Sequence, residues 1–285
     1  MGTGSATAGT RPAEGWLHRV CRNSLLEFQI RRKAHAQQFV LLLGHMRCGS
    51  TVATNVLCSN PEVAGIGEAH IKYKSERDLL LLTRFVCRAL ERSAPPRYIM
   101  DKCLHPGLVA EAVLKSPRVA CVFMAREPAS TLRSMINVFP DWFGNAPRHS
   151  PQVLDLAVEY YSRRLEELVA HAEIVAASKP LVYFSYEEFL SSTAAVFASI
   201  QKHLGLQAPL TEEYQLGPLA DQFGRGDVFG TRLKSQRITR EEAKYEVSVP
   251  ADRLPPLQAL FQRCDAALRD LARRSSLRPQ PLQPG

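Results

Sequence analysis

The chain has 285 residues, 45% of them hydrophobic, enough to bury one sizeable core and with no compositional break that asks for a second domain. Thirty-six Lys and Arg against 28 Asp and Glu leave a formal net charge of +8, which favours anionic ligands. The basic residues are scattered outside two short clusters, Arg31, Arg32 and Lys33, and Arg269, Arg273 and Arg274; no interleaved aromatics accompany them, so nucleic acid is not an expected partner.

Met1 to Glu14 is rich in Gly, Thr, Ala and Ser and lacks a hydrophobic signal-peptide core, so residues 1–14 read as a disordered leader. The seven cysteines are odd in number and contain no C-x-x-C pair, which argues against a disulfide framework and a zinc site. No stretch has the length of a membrane span, and a cytoplasmic protein is expected.

Phe39 to Leu43 is an apolar run of strand length that ends at Gly44 and leads into a helical pattern from Ser50 to Leu57. Further strands are expected at Val63 to Gly67, Tyr98 to Met100, Val119 to Met124 and Leu181 to Phe184. Helices are expected near Glu76 to Glu91, Gly107 to Lys115, Ala129 to Val138 and Val153 to Ala177. This alternation predicts an α/β fold, a single domain over residues 15–276 with a central parallel sheet flanked by helices. After Leu206 four glycines among charged residues mark a long loop, and Leu257, Leu260, Phe261, Cys264, Leu268 and Leu271 trace a last amphipathic helix. Three prolines then mark a flexible tail over residues 277–285.

Gly44-His45-Met46-Arg47-Cys48-Gly49-Ser50-Thr51 follows the first strand and opens a helix with P-loop spacing, except that Ser50 stands where the P-loop lysine belongs. Backbone amides at such a turn still suit a phosphate or sulfate. Without the lysine, a nucleotide kinase ranks below an enzyme whose nucleotide carries a shorter anionic chain. At the end of a later strand, Arg126 and Ser134 stand eight residues apart around Pro128, a residue suited to a helix's first turn.

Met46 to Thr51 resembles the 5′-phosphosulfate loop P-[KR]-S-G-T-T of sulfotransferases that use 3′-phosphoadenosine 5′-phosphosulfate (PAPS), with Met46 for proline and Cys48 for serine. Arg126 to Ser134 resembles that family's 3′-phosphate motif. The resemblance implies a P-loop-like sulfotransferase architecture, with PAPS as co-substrate, its desulfated form PAP as product, and no metal. It implies that Arg47, Cys48, Gly49, Ser50 and Thr51 hold the phosphosulfate and that Arg126 and Ser134 hold the 3′-phosphate. Tyr186, in Tyr186-Glu187-Glu188, matches a position near the adenine, while Arg225 and Lys234 fall in the late nucleotide-covering loop.

For the chemistry, Arg47 resembles the cation that stabilises the leaving phosphate. Glu68 resembles the carboxylate base of tyrosylprotein and heparan-type members, with His70 and His105 as rivals. Asp101-Lys102 resembles E-K-[ST]-P, which puts Lys102 within reach of the sulfuryl group; Trp142 and Phe143 either cover an acceptor or fill the core. The expected acceptor is a hydroxyl of a small molecule. The alternatives are a nucleotide kinase and a sulfotransferase-like nucleotide-binding protein without catalysis. Oligomeric state leaves no mark on the sequence.

Overall fold

The computed structural model describes residues 16–138, 150–217, 231–241 and 247–278. Five strands form one parallel sheet: β1 (Gln38–Leu43), β2 (Val63–Gly65), β3 (Tyr98–Cys103), β4 (Val119–Ala125) and β5 (Val182–Ser185), in the order β2-β3-β1-β4-β5. The chain fills one side of β1 with β2 and β3, then the other with β4 and β5. Connections therefore diverge at the carboxyl end of β1, the crevice in which open α/β sheets bind ligands.

Nine helices accompany the sheet among the described residues: α1 (Trp16–Lys33), α2 (Ser50–Ser59), α3 (Glu76–Ala89), α4 (Glu111–Lys115), α5 (Pro128–Val138), α6 (Pro151–Ala176), α7 (Tyr186–Ser191), α8 (Thr193–Leu204) and α9 (Leu254–Ser276). Successive strand residues face opposite sides. Phe39, Leu41, Leu43, Ile99, Val119, Cys121 and Phe123 join a core shared with α3, α6 and α9, whereas Val40, Leu42, Met100, Val122 and Met124 pack with α2 and α8. Because both faces are covered, the central strands read as continuous apolar runs rather than alternating ones.

Several expected boundaries move; the strand expected to Gly67 ends at Gly65. The third strand, with Asp101-Lys102 expected at its end, runs to Cys103 and takes these buried polar residues into the sheet. The helix expected from Gly107 starts only at Glu111, because Leu108 and Ala110 exchange backbone hydrogen bonds with Tyr73: the Tyr73 amide donates to Leu108 O and the Ala110 amide to Tyr73 O. Helix α1 had no counterpart among the expected elements. It packs on α3, where Arg84 and Arg88 both pair with Glu27.

Helix α6 ties the sheet's carboxyl edge together. Arg164, 1% exposed, donates to Gly44 O beyond β1 and to Cys103 O at the end of β3, while its guanidinium also pairs with Glu167. All seven cysteines are free thiols. Among the described residues no helix is long and apolar enough to cross a membrane. Leader residues 1–14 and tail residues 279–285 lie outside the described residues, as do Trp142, Phe143 and Arg225.

Candidate active site

The candidate residues follow the carboxyl ends of the strands: Arg47 to Thr51 after β1, Glu68 and His70 after β2, Lys102 at the end of β3, Arg126 after β4 and Tyr186 after β5. One edge of one sheet thus collects residues that span much of the chain. The loop after β1 turns sharply, with Arg47 at φ 65° and Gly49 at φ 91°, both in the left-handed region. A Cβ on Gly49 would stand 2.5 Å from the Tyr186 ring, so this position requires glycine for space as well as for backbone conformation. Gly49 is also the N-cap of α2 and supplies no capping side chain; the Val52 amide turns back to Gly49 O and the Ser50 amide to the Cys48 sulfur.

Two departures from the phosphosulfate-loop pattern have physical partners here. Met46 donates its backbone N–H to the Tyr160 hydroxyl at 2.8 Å, a bond that proline could not make, and Tyr160 passes its own proton to Leu104 O at 2.7 Å. Cys48 is fully buried beneath the loop, and burial pushes its thiol above the usual range, so it packs as a neutral side chain. Within the loop, the contribution of Cys48 to any ligand is therefore through the backbone.

Lys102 and Asp101 are split by the pleat. The Lys102 side chain turns to the α2 side, where Nζ donates to Thr51 Oγ1 at 3.0 Å and lies 3.3 Å from Glu68 Oε1. Asp101 points to the opposite face and accepts from Ala69 N, Lys102 N and the Tyr73 hydroxyl. Those bonds fix the turn that carries Glu68. Full burial raises the Asp101 carboxyl to about 6, against three stabilising hydrogen bonds.

Glu68 also faces His105, whose Nε2 stands 3.6 Å from Glu68 Oε2. Burial lowers the His105 pKa, and the Glu68 charge acts in the opposite direction. His70 is exposed, sits at φ 55° and stacks its ring 6.3 Å from that of His105.

On the other flank, Arg47 Nε donates to Ser134 Oγ at 2.8 Å, and Arg126 Nη1 donates to Arg47 O at 3.3 Å. The Arg126 guanidinium lies 4.0 Å over the Tyr186 ring, a cation–π arrangement, and its buried Nε has no hydrogen-bond partner among the described residues. Arg47, Arg126, Ser134 and Tyr186 thus form one contiguous group. Lys234 is exposed on the short turn Thr231–Ser235 and forms no hydrogen bond or ion pair with the loop's described residues.

His45 and Tyr161 have structural roles that the motif spacing does not disclose. His45 Nδ1 donates to Met46 O and its Nε2 accepts from Arg126 N, which fixes a neutral ring whose pKa burial lowers to about 4. Tyr161 donates to Arg126 O from the next element. The spacing Tyr160-Tyr161-x-x-Arg164 was the available signal for Tyr161, since residues three and four apart share a helix face and Tyr160, Tyr161 and Arg164 all turn to the strand ends.

The arrangement can hold two anionic groups, one at the start of α2 beside Lys102, the other at Arg126 and Ser134, with Arg47 between them through its bond to Ser134 and a carboxylate beside the first. Solved structures with the same architecture include the sulfotransferase domain from the curacin biosynthetic pathway, at TM-score 0.53 and 14% identity, covering 82% of this chain and 98% of that one. The fold is that of the sulfotransferases. Mouse sulfotransferase SULT7A1, solved in complex with PAP, shares the sulfotransferase fold at TM-score 0.51 and 15% identity, covering 87% of this chain and 93% of its own. No family model matches the chain, and no curated protein matches it.

Proposed function

We propose that the protein transfers a sulfuryl group from PAPS to a hydroxyl of a small-molecule acceptor and releases PAP. The observation that carries this reading is the Glu68–Lys102–Thr51 chain at 3.3 and 3.0 Å, which holds a carboxylate and an ammonium together at the mouth of the anion loop. Lys102, bonded to Thr51, brings a cation to a loop that lacks the P-loop lysine.

PAPS carries a 5′-phosphosulfate and a 3′-phosphate, and the residues present fit both. The uncapped start of α2 suits the first. The Arg126 fork, with its unpartnered buried Nε, and the Ser134 hydroxyl suit the second. Tyr186, already under the Arg126 guanidinium, offers a flat face for adenine.

In the reaction, the acceptor oxygen gives its proton to Glu68 and forms a bond to sulfur. The bond from sulfur to the 5′-phosphate oxygen breaks, and the electron pair leaves on that phosphate. Arg47 and Lys102 are the cations assigned to this charge, and cations positioned in advance stabilise it more than they stabilise the ground state. Neither step requires a metal.

The test is Glu68→Gln, which keeps side-chain volume and removes the proton acceptor. Transfer of labelled sulfate from PAPS to an acceptor found by screening hydroxylated small molecules should fall by roughly 10² to 10⁴, with PAP affinity unchanged. Near-normal turnover in this variant would remove Glu68 from the role of base. Donor binding without any transfer by the native chain would instead identify a nucleotide-binding protein that has lost catalysis.

A further inference from the structure

Glu68, His70 and His105 each present a ligand atom, and these atoms lie within 4.8 Å of one another. The Glu68 carboxylate is buried, His105 is half-buried and His70 is exposed, so the group opens to solvent on the His70 side. We propose that these three residues form a site for a zinc-class divalent cation whose occupancy withdraws Glu68 from the acceptor and switches transfer off.

Two imidazoles and one carboxylate suit a borderline cation such as Zn²⁺, and three protein ligands leave a fourth position for water. A tetrahedral zinc with bonds of roughly 2.0–2.1 Å places its ligand atoms about 3.3 Å apart. Glu68 Oε2 and His105 Nε2, at 3.6 Å, already meet that spacing. His70 has to close the remainder, from a ligand atom already within 4.8 Å of the other two.

The backbone under the site is held independently of any metal. The Ala69 amide donates to Asp101 Oδ1 at 2.9 Å, and the Lys102 amide donates to Gly67 O at 3.3 Å. Between them they fix the turn that points Glu68 and His70 to the same side. Lys102 does not obstruct binding, because it engages Oε1 and Thr51 while Oε2 is the oxygen turned to His105. The proposed reaction needs no metal, so a bound cation acts here as an inhibitor that uses the base as a ligand. The inhibitory half of this inference rests on the proposed function; the binding half does not.

The test is calorimetric titration of the full chain with Zn²⁺ alone, repeated with His70→Ala, His105→Ala and Cys21→Ser, the last because Cys21 is an exposed thiol. One equivalent should bind, and each histidine variant should weaken binding at least roughly tenfold, the least that loss of a direct ligand costs when outer partners alone are worth that much. Cys21→Ser should bind like the native chain. Mg²⁺, which prefers oxygen ligands, should not compete. Absence of one-to-one binding, or binding that survives both histidine changes, overturns the site; so does a thiolate-to-cobalt charge-transfer band when Co²⁺ replaces zinc. In turnover assays, half-inhibition should follow the zinc dissociation constant while PAP affinity stays unchanged. Stoichiometric zinc binding through the histidines with undiminished turnover would leave the cation site standing and overturn the inhibitory half, and with it the assignment of Glu68 as base.

Discussion

Asp101 and Lys102 are adjacent in sequence and serve opposite faces of β3, Lys102 reaching the anion loop and Asp101 bracing the turn that bears Glu68. The pleat alone produces this division. Burial raises the Asp101 carboxyl from 3.8 to about 6, so the folded state holds its proton more tightly than the unfolded chain does. The resulting contribution to stability is fully present below the unfolded value and is lost as pH rises through about 6. The stability of the native chain relative to Asp101→Asn should therefore be higher at about pH 4.5 than at about pH 7.5 by about 2 kcal/mol. Urea unfolding of both proteins at the two pH values measures this, and a native-minus-variant difference that is constant or grows with pH would contradict it. When the carboxyl is protonated, the Tyr73 hydroxyl can turn from donor to acceptor, which keeps the bond.

At the scale of elements, the loop between β1 and α2 depends on one glycine twice over. Gly49→Ala places a side chain at φ 91° and drives its Cβ to 2.5 Å from Tyr186, so either α7 or the loop must shift. Expected outcomes are a stability loss of about 1–3 kcal/mol and a loss of PAP affinity of roughly tenfold or more. Gly107→Ala is the matched comparison: φ is 70° and nothing lies within 4 Å of the added Cβ, so it should cost only the conformational part and leave PAP affinity intact. Equal effects of the two changes on PAP would separate the loop from the nucleotide.

The same elements show what was legible in the chain. Phe39 to Leu43 followed by Gly44 announces a buried strand and a tight turn, because both signals are local. Helix α1 is not announced: only Leu26 and Ile30 among its described side chains are buried, and Leu25 and Phe28 are exposed, so its apolar stripe is narrow and blurred. The apolar run of β3 stops at Met100, and Asp101 and Lys102 end the strand although both are charged. Their long-range partners, Tyr73 and Ala69 for Asp101 and Thr51 and Glu68 for Lys102, explain their burial. Arg126 and Ser134 were readable as a spaced pair, but their meeting through Arg47 depends on how α5 returns across the loop.

For the whole molecule, the parallel sheet converts separations in sequence into adjacency at one edge. Every strand is followed by, or ends in, a residue of the candidate site, and α6 fastens that edge by its Arg164 and Tyr160 contacts. The shared fold at 14–15% identity leaves chemistry to these residues rather than to overall likeness. The most direct test of the account is calorimetric titration of the native chain and Arg126→Ala with PAP and with its analogue lacking the 3′-phosphate. The native chain should prefer PAP, and Arg126→Ala should lose about 1.5–3 kcal/mol of PAP binding while binding of the analogue changes little. Equal losses for the two nucleotides, or a native chain indifferent to the 3′-phosphate, would contradict the reading of this site as one for PAPS.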